Sequence, residues 1–151
     1  MDKKYQIEKA ASPRQLEDAL RVRRTVFVEE QGVPDDLEMD EYDALDRGVV
    51  HFVAYTGGTP AGASRLRPYA PGVGKVERVA VIRTERGKGL GRAIMLAMEE
   101  AARESGFRQL KLNAQIQARR FYEKMGYKPY GELFEEAGIP HIAMVKTLDP
   151  A

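Results

Sequence analysis

The chain of 151 residues has no cysteine, which excludes disulfides, thiolate metal ligands and a cysteine nucleophile together. It has no apolar run near the roughly 18 residues of a spanning helix. The opening stretch, Met1–Ala10, lacks the apolar segment of a secretory signal. Histidine is scarce, with only His51 and His141, so no pair at metal-ligand spacing and no Ser-His-Asp order is available. No metal is therefore expected. Neither sign of charge dominates: the formal net charge is +1, too small for a global field toward nucleic acid or a membrane. These absences point to a cytoplasmic protein. The length fits one domain, 1–151, with one sizeable core.

What is present is concentrated first in Arg83–Arg92. An apolar run, Val79-Ala80-Val81-Ile82, reads as a buried strand before it. Leu90, Ala93, Ile94, Ala97, Met98 and Ala101 recur at helical spacing after it. A strand that turns through glycines into a helix presents backbone N–H groups and the positive end of the helix dipole, an anion site suited to phosphate. Gly87, Gly89 and Gly91 let the backbone approach the anion, and Arg86, Lys88 and Arg92 add positive charge. The P-loop pattern fails, because Lys88 is followed by Gly89 rather than Ser or Thr. The dinucleotide pattern fails too: its third glycine would fall on Arg92 or Ile94. What remains is Arg86-x-x-Gly89-x-Gly91.

The rest of the chain reads as mixed α/β with a partly antiparallel sheet flanked by helices. Tyr5–Lys9 is a first strand, and Ser12-Pro13 marks a helix start. Leu16, Leu20, Arg23 and Phe27 are expected on that helix's inner face. Strands are expected at Val49–Tyr55 and Ala61–Leu66 around a Gly57-Gly58 turn, then a loop over Pro68–Gly74. A central strand, Lys75–Ile82, precedes the helix Gly89–Ser105, ended by Gly106. Gln109–Asn113 is a further strand, and Ala114, Ala118, Phe121, Tyr122 and Met125 trace one face of another helix. Tyr127–Tyr130 and Ile139–Leu148 close the chain as strands around a Gly131–Gly138 connection.

The glycine signature after a Val-x-Val strand resembles the pyrophosphate-binding signature of the GNAT superfamily, N-acetyltransferases that use acetyl-CoA. The segment Phe121-Tyr122-Glu123-Lys124-Met125-Gly126-Tyr127 resembles the same family's F-Y-x-x-x-G-F/Y segment, and the element order matches over nearly the whole chain. VRRTVFVEEQGVP, LEMDEYDA, HFVA and EEAGIPHIAM are together similar to the ElaA/YjcF-like branch. The half Val22–Gln31 is also similar to acyl-homoserine-lactone synthases, which share the fold. The resemblance implies a splayed pair of parallel strands, Lys75–Ile82 and Gln109–Asn113, with the thioester of CoA in the gap. It implies CoA contacts from Val79, Ala80, Val81, the loop Arg86, Gly87, Lys88, Gly89, Leu90, Gly91 and Arg92, and Phe121. Asn113 either joins them or caps the next helix. The resemblance also implies that Tyr122 protonates the departing thiolate, which suits a phenol with a reference pKa near 10. The same tyrosine could instead be a core aromatic.

An ammonium must lose a proton before it attacks a thioester. Glu77, two residues before Val79, and His141, in Gly138-Ile139-Pro140-His141, are the candidate bases. Each has a plain structural alternative as an ion-paired or hydrogen-bonded residue. Glu29–Asp46 carries nine acidic residues and no lysine or arginine. Its spacing fails the calcium loop, with Glu41 at the glycine position and Arg47 at the final glutamate position. It is either a solvated loop or, through Glu30, Glu38 and Asp40, an acceptor-side surface that attracts a cationic amine. The expected activity is acetyl transfer from acetyl-CoA to a small-molecule or protein amine by direct attack. A non-catalytic CoA sensor and a transferase for longer acyl chains are the alternatives. The sequence leaves the acceptor and the oligomeric state open, a homodimer included.

Overall fold

A computed structural model describes residues 5–149. Seven strands form one sheet in the order β1-β2-β3-β4-β5-β7-β6. The strands are β1 Gln6–Lys9, β2 Val50–Thr56, β3 Thr59–Ala70, β4 Val73–Val81, β5 Gln109–Gln115, β6 Lys128–Glu136 and β7 Ile139–Thr147. Only β4 and β5 pair parallel; every other neighbouring pair is antiparallel. Helices α1 (Pro13–Arg23), α2 (Asp35–Glu38), α3 (Leu90–Glu104) and α4 (Arg119–Lys124) complete the fold, with a π-helical stretch, Arg24–Glu30, continuing α1.

Both faces of the sheet centre are covered, which explains why β2 alternates so poorly. Phe52 and Ala54 join Leu66, Val76, Leu90, Ile94, Met95, Met98, Leu110 and Met144 in the main core under α3. Val53, Ala63 and Ala80 face the other way and pack on Ala19, Val22 and Val26 of the first helix. A strand buried on both faces reads as a continuous apolar run. Met95, Met98 and Leu110 are fully buried, each contributing roughly 1.5–3 kcal/mol of hydrophobic stabilisation.

Ser12 caps α1 as its sequence implies, accepting from the Gln15 N–H at 3.2 Å. The inner face matches the expected one at Arg23 and differs at the other three positions. Ala19, Val22, Arg23 and Val26 are buried, while Leu16, Leu20 and Phe27 are only half-buried. The partner surface, small residues on β2, β3 and β4, favours the small side chains of the helix. Three connections are also tighter than expected. The Pro68–Gly74 loop shrinks to Pro71-Gly72, because Pro68, Tyr69 and Ala70 extend β3 and Val73 opens β4. Gly131 lies within β6, where a register shift between Tyr130 and Phe134 absorbs it, and the turn is confined to Ala137-Gly138. Ala114 belongs to β5 rather than to the next helix, so α4 is a short helix of six residues.

Candidate active site

The cleft arises from a bulge in β4. Arg65 faces Glu77 and Ala63 faces Ala80, so Arg78 and Val79 together oppose Ser64. Arg78 sits at φ 58°, a left-handed conformation uncommon for a residue with a Cβ. Below the bulge β4 and β5 pair from Val73↔Gln109 to Val76↔Leu112; above it they have no ladder. β4 stays with β3 through Val81, and β5 stays with β7 through Gln115. The strands therefore splay, and a cavity of about 670 Å³ opens between them. Val79, Ala80 and Val81 line it, with the strand edge there lacking a β5 partner. Such an edge accepts an extended chain by main-chain hydrogen bonds.

At one end of the cavity α3 begins. Gly89 occupies its N-cap at φ 89°, Gly87 lies at φ 75°, and both would strain with any side chain. The helix has no side-chain cap and no acid in its first turn, and its first backbone bond is Ala93 N–H to the Gly89 carbonyl at 3.0 Å. The amides ahead of it are the unsatisfied donors of a helix start. Lys88 and Arg92 are exposed beside them. Arg86 bonds the Val81 carbonyl at 2.9 Å and the Glu30 carboxylate at 2.8 Å. The hydrogen bond from Arg86 holds Glu30 below the usual carboxylate range. Gly91 faces Phe121: an added Cβ would lie 3.4 Å from the ring.

Along the opposite wall stand Phe121, Tyr122, Asn113 and His141. Tyr122 is buried, edge-on to Phe121 at 5.0 Å and to Tyr127 at 5.9 Å between ring centres. Burial raises its phenol above the ordinary value, so it stays protonated. Tyr127 is anchored by Glu99 at 3.0 Å, which fixes the aromatic stack from below. Asn113 is a mid-strand residue of β5, not a helix cap; Gln115 precedes the helical turn that follows. His141 is buried on β7, with Nδ1 2.6 Å from the Ile139 carbonyl and Nε2 3.6 Å from Glu136. Phe134 stacks on its ring at 5.9 Å. Since a carbonyl only accepts, Nδ1 carries the hydrogen, and in the neutral ring Nε2 holds the free lone pair. His51 lies outside this site; it is buried and bonded to the Tyr42 carbonyl at 2.9 Å.

The acidic segment folds onto arginines. Glu38 pairs with Arg23 at 2.9 Å and Arg78 at 3.0 Å. Asp43 pairs with Arg23 at 2.6 Å and Arg65 at 2.9 Å, while Asp40 takes Arg65 at 2.7 Å. Glu77 receives Arg65, Arg67 and Lys75 at 3.0, 2.9 and 3.1 Å. Burial disfavours the charge on Glu77, but Arg67, Arg65 and Lys75 outweigh it and hold the carboxyl at about 2. Asp43 is likewise held at about 2, with Arg23 outweighing burial. Of the three acids expected on the acceptor side, Glu38 lines the cavity, already paired; Glu30 and Asp40 are drawn to arginines beside it.

Several of these partners escape sequence reasoning. Arg65, Arg67, Lys75 and Glu77 meet because the β3–β4 hairpin puts Arg65 opposite Glu77 and Arg67 opposite Lys75. The tight Pro71-Gly72 turn was the available signal. Gln31 and Gln115, which exchange amide hydrogen bonds at 3.2 and 2.8 Å across the cavity mouth, carry no sequence signal.

Comparison with known proteins gives this geometry its context. The acetyltransferase (GNAT) domain family matches residues 9–148. The uncharacterised N-acetyltransferase YjcF of Bacillus subtilis (strain 168) is 46% identical over 138 residues, 91% of this chain and 96% of that protein. The crystal structure of Escherichia coli ElaA superposes with a TM-score of 0.82 at 26% identity, covering 95% of this chain and 99% of that one. An aminoglycoside 6'-N-acetyltransferase complexed with coenzyme A shares the fold, with a TM-score of 0.78 at 17% identity over 97% of this chain and 98% of that one. A splayed β4–β5 pair, a glycine-rich helix start and a match over nearly the full length all agree: the chain belongs to the GNAT acetyltransferases, in the branch of ElaA and YjcF.

Proposed function

We propose that this acetyltransferase takes its acetyl group from acetyl-CoA bound in the β4–β5 gap, with Tyr122 as the acid and His141 as the proton acceptor. The observation that carries the reading is the continuity of the cavity: one wall offers an unpaired strand edge and the opposite wall a buried, protonated phenol. The residues present suit the co-substrate. The α3 start without a side-chain cap, Gly87 and Gly89 at positive φ and the flanking cations fit a pyrophosphate. The β4 edge at Val79 and Val81, without a β5 partner, fits an amide-bearing arm, and an aminoglycoside acetyltransferase of the same fold is complexed with coenzyme A. Acetyl-CoA supplies the activated thioester carbonyl.

Transfer forms a C–N bond and breaks a C–S bond. Nε2 of His141 accepts the proton that the acceptor nitrogen sheds, directly or through one water, and Glu136 beside it steadies the imidazolium. The Tyr122 hydroxyl donates to the thiolate as it departs. Glu77 is the weaker base, because a carboxyl held at about 2 by three cations has little affinity for a proton. Its place is to fix Arg65, Arg67 and Lys75. Among the described residues no helix is long and apolar enough to cross a membrane, and work beside a cytoplasmic CoA pool belongs to the same reading.

An amine panel with acetyl-CoA, followed by thiol release and mass spectrometry of the product, tests this. Thiol release that depends on the amine, with an acetylated product, is expected. Tight CoA binding without amine-dependent release would favour a CoA sensor, and faster release from octanoyl-CoA would favour a longer acyl donor.

A further inference from the structure

Charge on the cavity wall is divided. On the β4 side stand Lys75 and Arg78 with their partners Glu77 and Glu38, and Arg86 lies toward the start of α3; Glu136, at the end of β6, and His141, near the start of β7, also line the cavity. The buried network behind β4 contains four carboxylates (Glu38, Asp40, Asp43, Glu77) and five cations (Arg23, Arg65, Arg67, Lys75, Arg78), leaving one positive charge in excess. Arg23 and Arg65 are 1% exposed, so that excess reaches a ligand only through the wall residues.

Arg78 is built to use it. In a regular strand residue 78 would point away from the face of residues 75 and 77. The bulge and its φ of 58° turn it back, so that it meets Glu38 and Asp40 on the same side as Glu77. Its Nε is committed to Glu38, at 3.0 Å from the carboxylate and 3.2 Å from the carbonyl. Nη2 makes only two contacts at 3.5 Å, to the Leu37 carbonyl and Asp40. Among the described residues Nη1 has no hydrogen-bond partner. The two terminal nitrogens are the fork that receives a carboxylate bidentately. Lys75 has three donors and, among the described residues, one carboxylate partner, Glu77, beside the Tyr69 ring.

We infer that the acceptor carries a carboxylate as well as the amine, and that Arg78, aided by Lys75, is the residue that selects it. This rests on the acetyl-transfer reading and narrows it to zwitterionic amines, with the ammonium toward Glu136 and His141 and the carboxylate toward β4. The acidic segment then serves to hold arginines, rather than to attract a cationic acceptor.

The test compares the twenty amino acids, each beside its own carboxamide, with putrescine and spermidine as purely cationic amines. With acetyl-CoA saturating, the best amino acid should exceed its carboxamide by at least about tenfold in kcat/KM, roughly the worth of one charge-assisted contact. Arg78→Gln should raise KM at least about tenfold more for the amino acid than for the carboxamide, and Arg78→Lys should restore part of the loss. The variant should fold, because Glu38 keeps Arg23. Preference for carboxamides or polyamines, or equal losses on both members of a pair, would overturn the inference and leave acetyl transfer standing. If no amine is acetylated, the acetyl-transfer reading fails separately. Calorimetric titration of the same amino acids into the CoA-bound protein then decides: binding weakened by Arg78→Gln supports the inference, and absent or unaltered binding overturns it.

Discussion

In the proposed mechanism Tyr122 and His141 divide the proton traffic between them. The phenol is buried against two aromatic rings, so Tyr122→Phe removes a hydroxyl and little else. General acid help is typically worth about 100- to 10,000-fold. Turnover should fall at least roughly tenfold while acetyl-CoA affinity stays level; parental turnover with a good acceptor would return Tyr122 to a packing role. For the base, the contrast lies in which variant loses activity. His141→Gln should lower kcat/KM at least roughly tenfold, because it removes the proton acceptor from the cavity wall. Glu77→Gln should keep most of the activity and instead lower the melting temperature, since it strands parts of Arg65, Arg67 and Lys75. A larger loss of kcat/KM in Glu77→Gln than in His141→Gln would reverse the assignment.

At the scale of elements, the proposed function rests on the start of α3 and the bulge in β4. Gly89→Val places a β-branched side chain at φ 89°, where it is strained by roughly 1–3 kcal/mol. The loop, not the core, should absorb that strain. Acetyl-CoA affinity measured by calorimetry should fall at least about tenfold in a protein that still folds; unchanged affinity would remove the loop from the site. This loop was the most legible feature of the sequence, because glycine, basic charge and the switch from strand to helix all fall within ten residues. The order of elements was legible for the same reason: each has its own turn signal. The inner face of α1 was not, because small residues on β2, β3 and β4 select Ala19, Val22 and Val26 over the bulkier leucines. The bulge was invisible too, since nothing in Glu77-Arg78-Val79 marks a left-handed arginine. The fate of the acidic run depended on that hidden register: its partners lie on β3, β4 and α1, twenty or more positions away from several of the acids.

Across the whole molecule, a buried ionic network joins α1, the acidic segment and the β3–β4 hairpin, and so ties the β4 wall of the cavity to the core. Arg65 is 1% exposed and serves three carboxylates, so Arg65→Ala should cost about 3–5 kcal/mol in denaturant unfolding. Acid should act on the same network. Glu77 and Asp43 have folded values of about 2, below the roughly 4 of an unfolded carboxylate. Their contribution is therefore complete above about pH 5 and is lost as pH falls from about 4 through 2. Melting temperature should be level from pH 7 to 5 and drop steeply below; a profile level down to pH 3 would contradict that role. The central claim is that the gap between β4 and β5 holds the acetyl donor. Residue-resolved amide hydrogen exchange, with and without acetyl-CoA, tests it most directly. The account predicts new protection at Val79, Val81 and the amides from Gly87 to Arg92, with little change at the far end of α3. Saturating acetyl-CoA that binds while leaving those amides unchanged would contradict it.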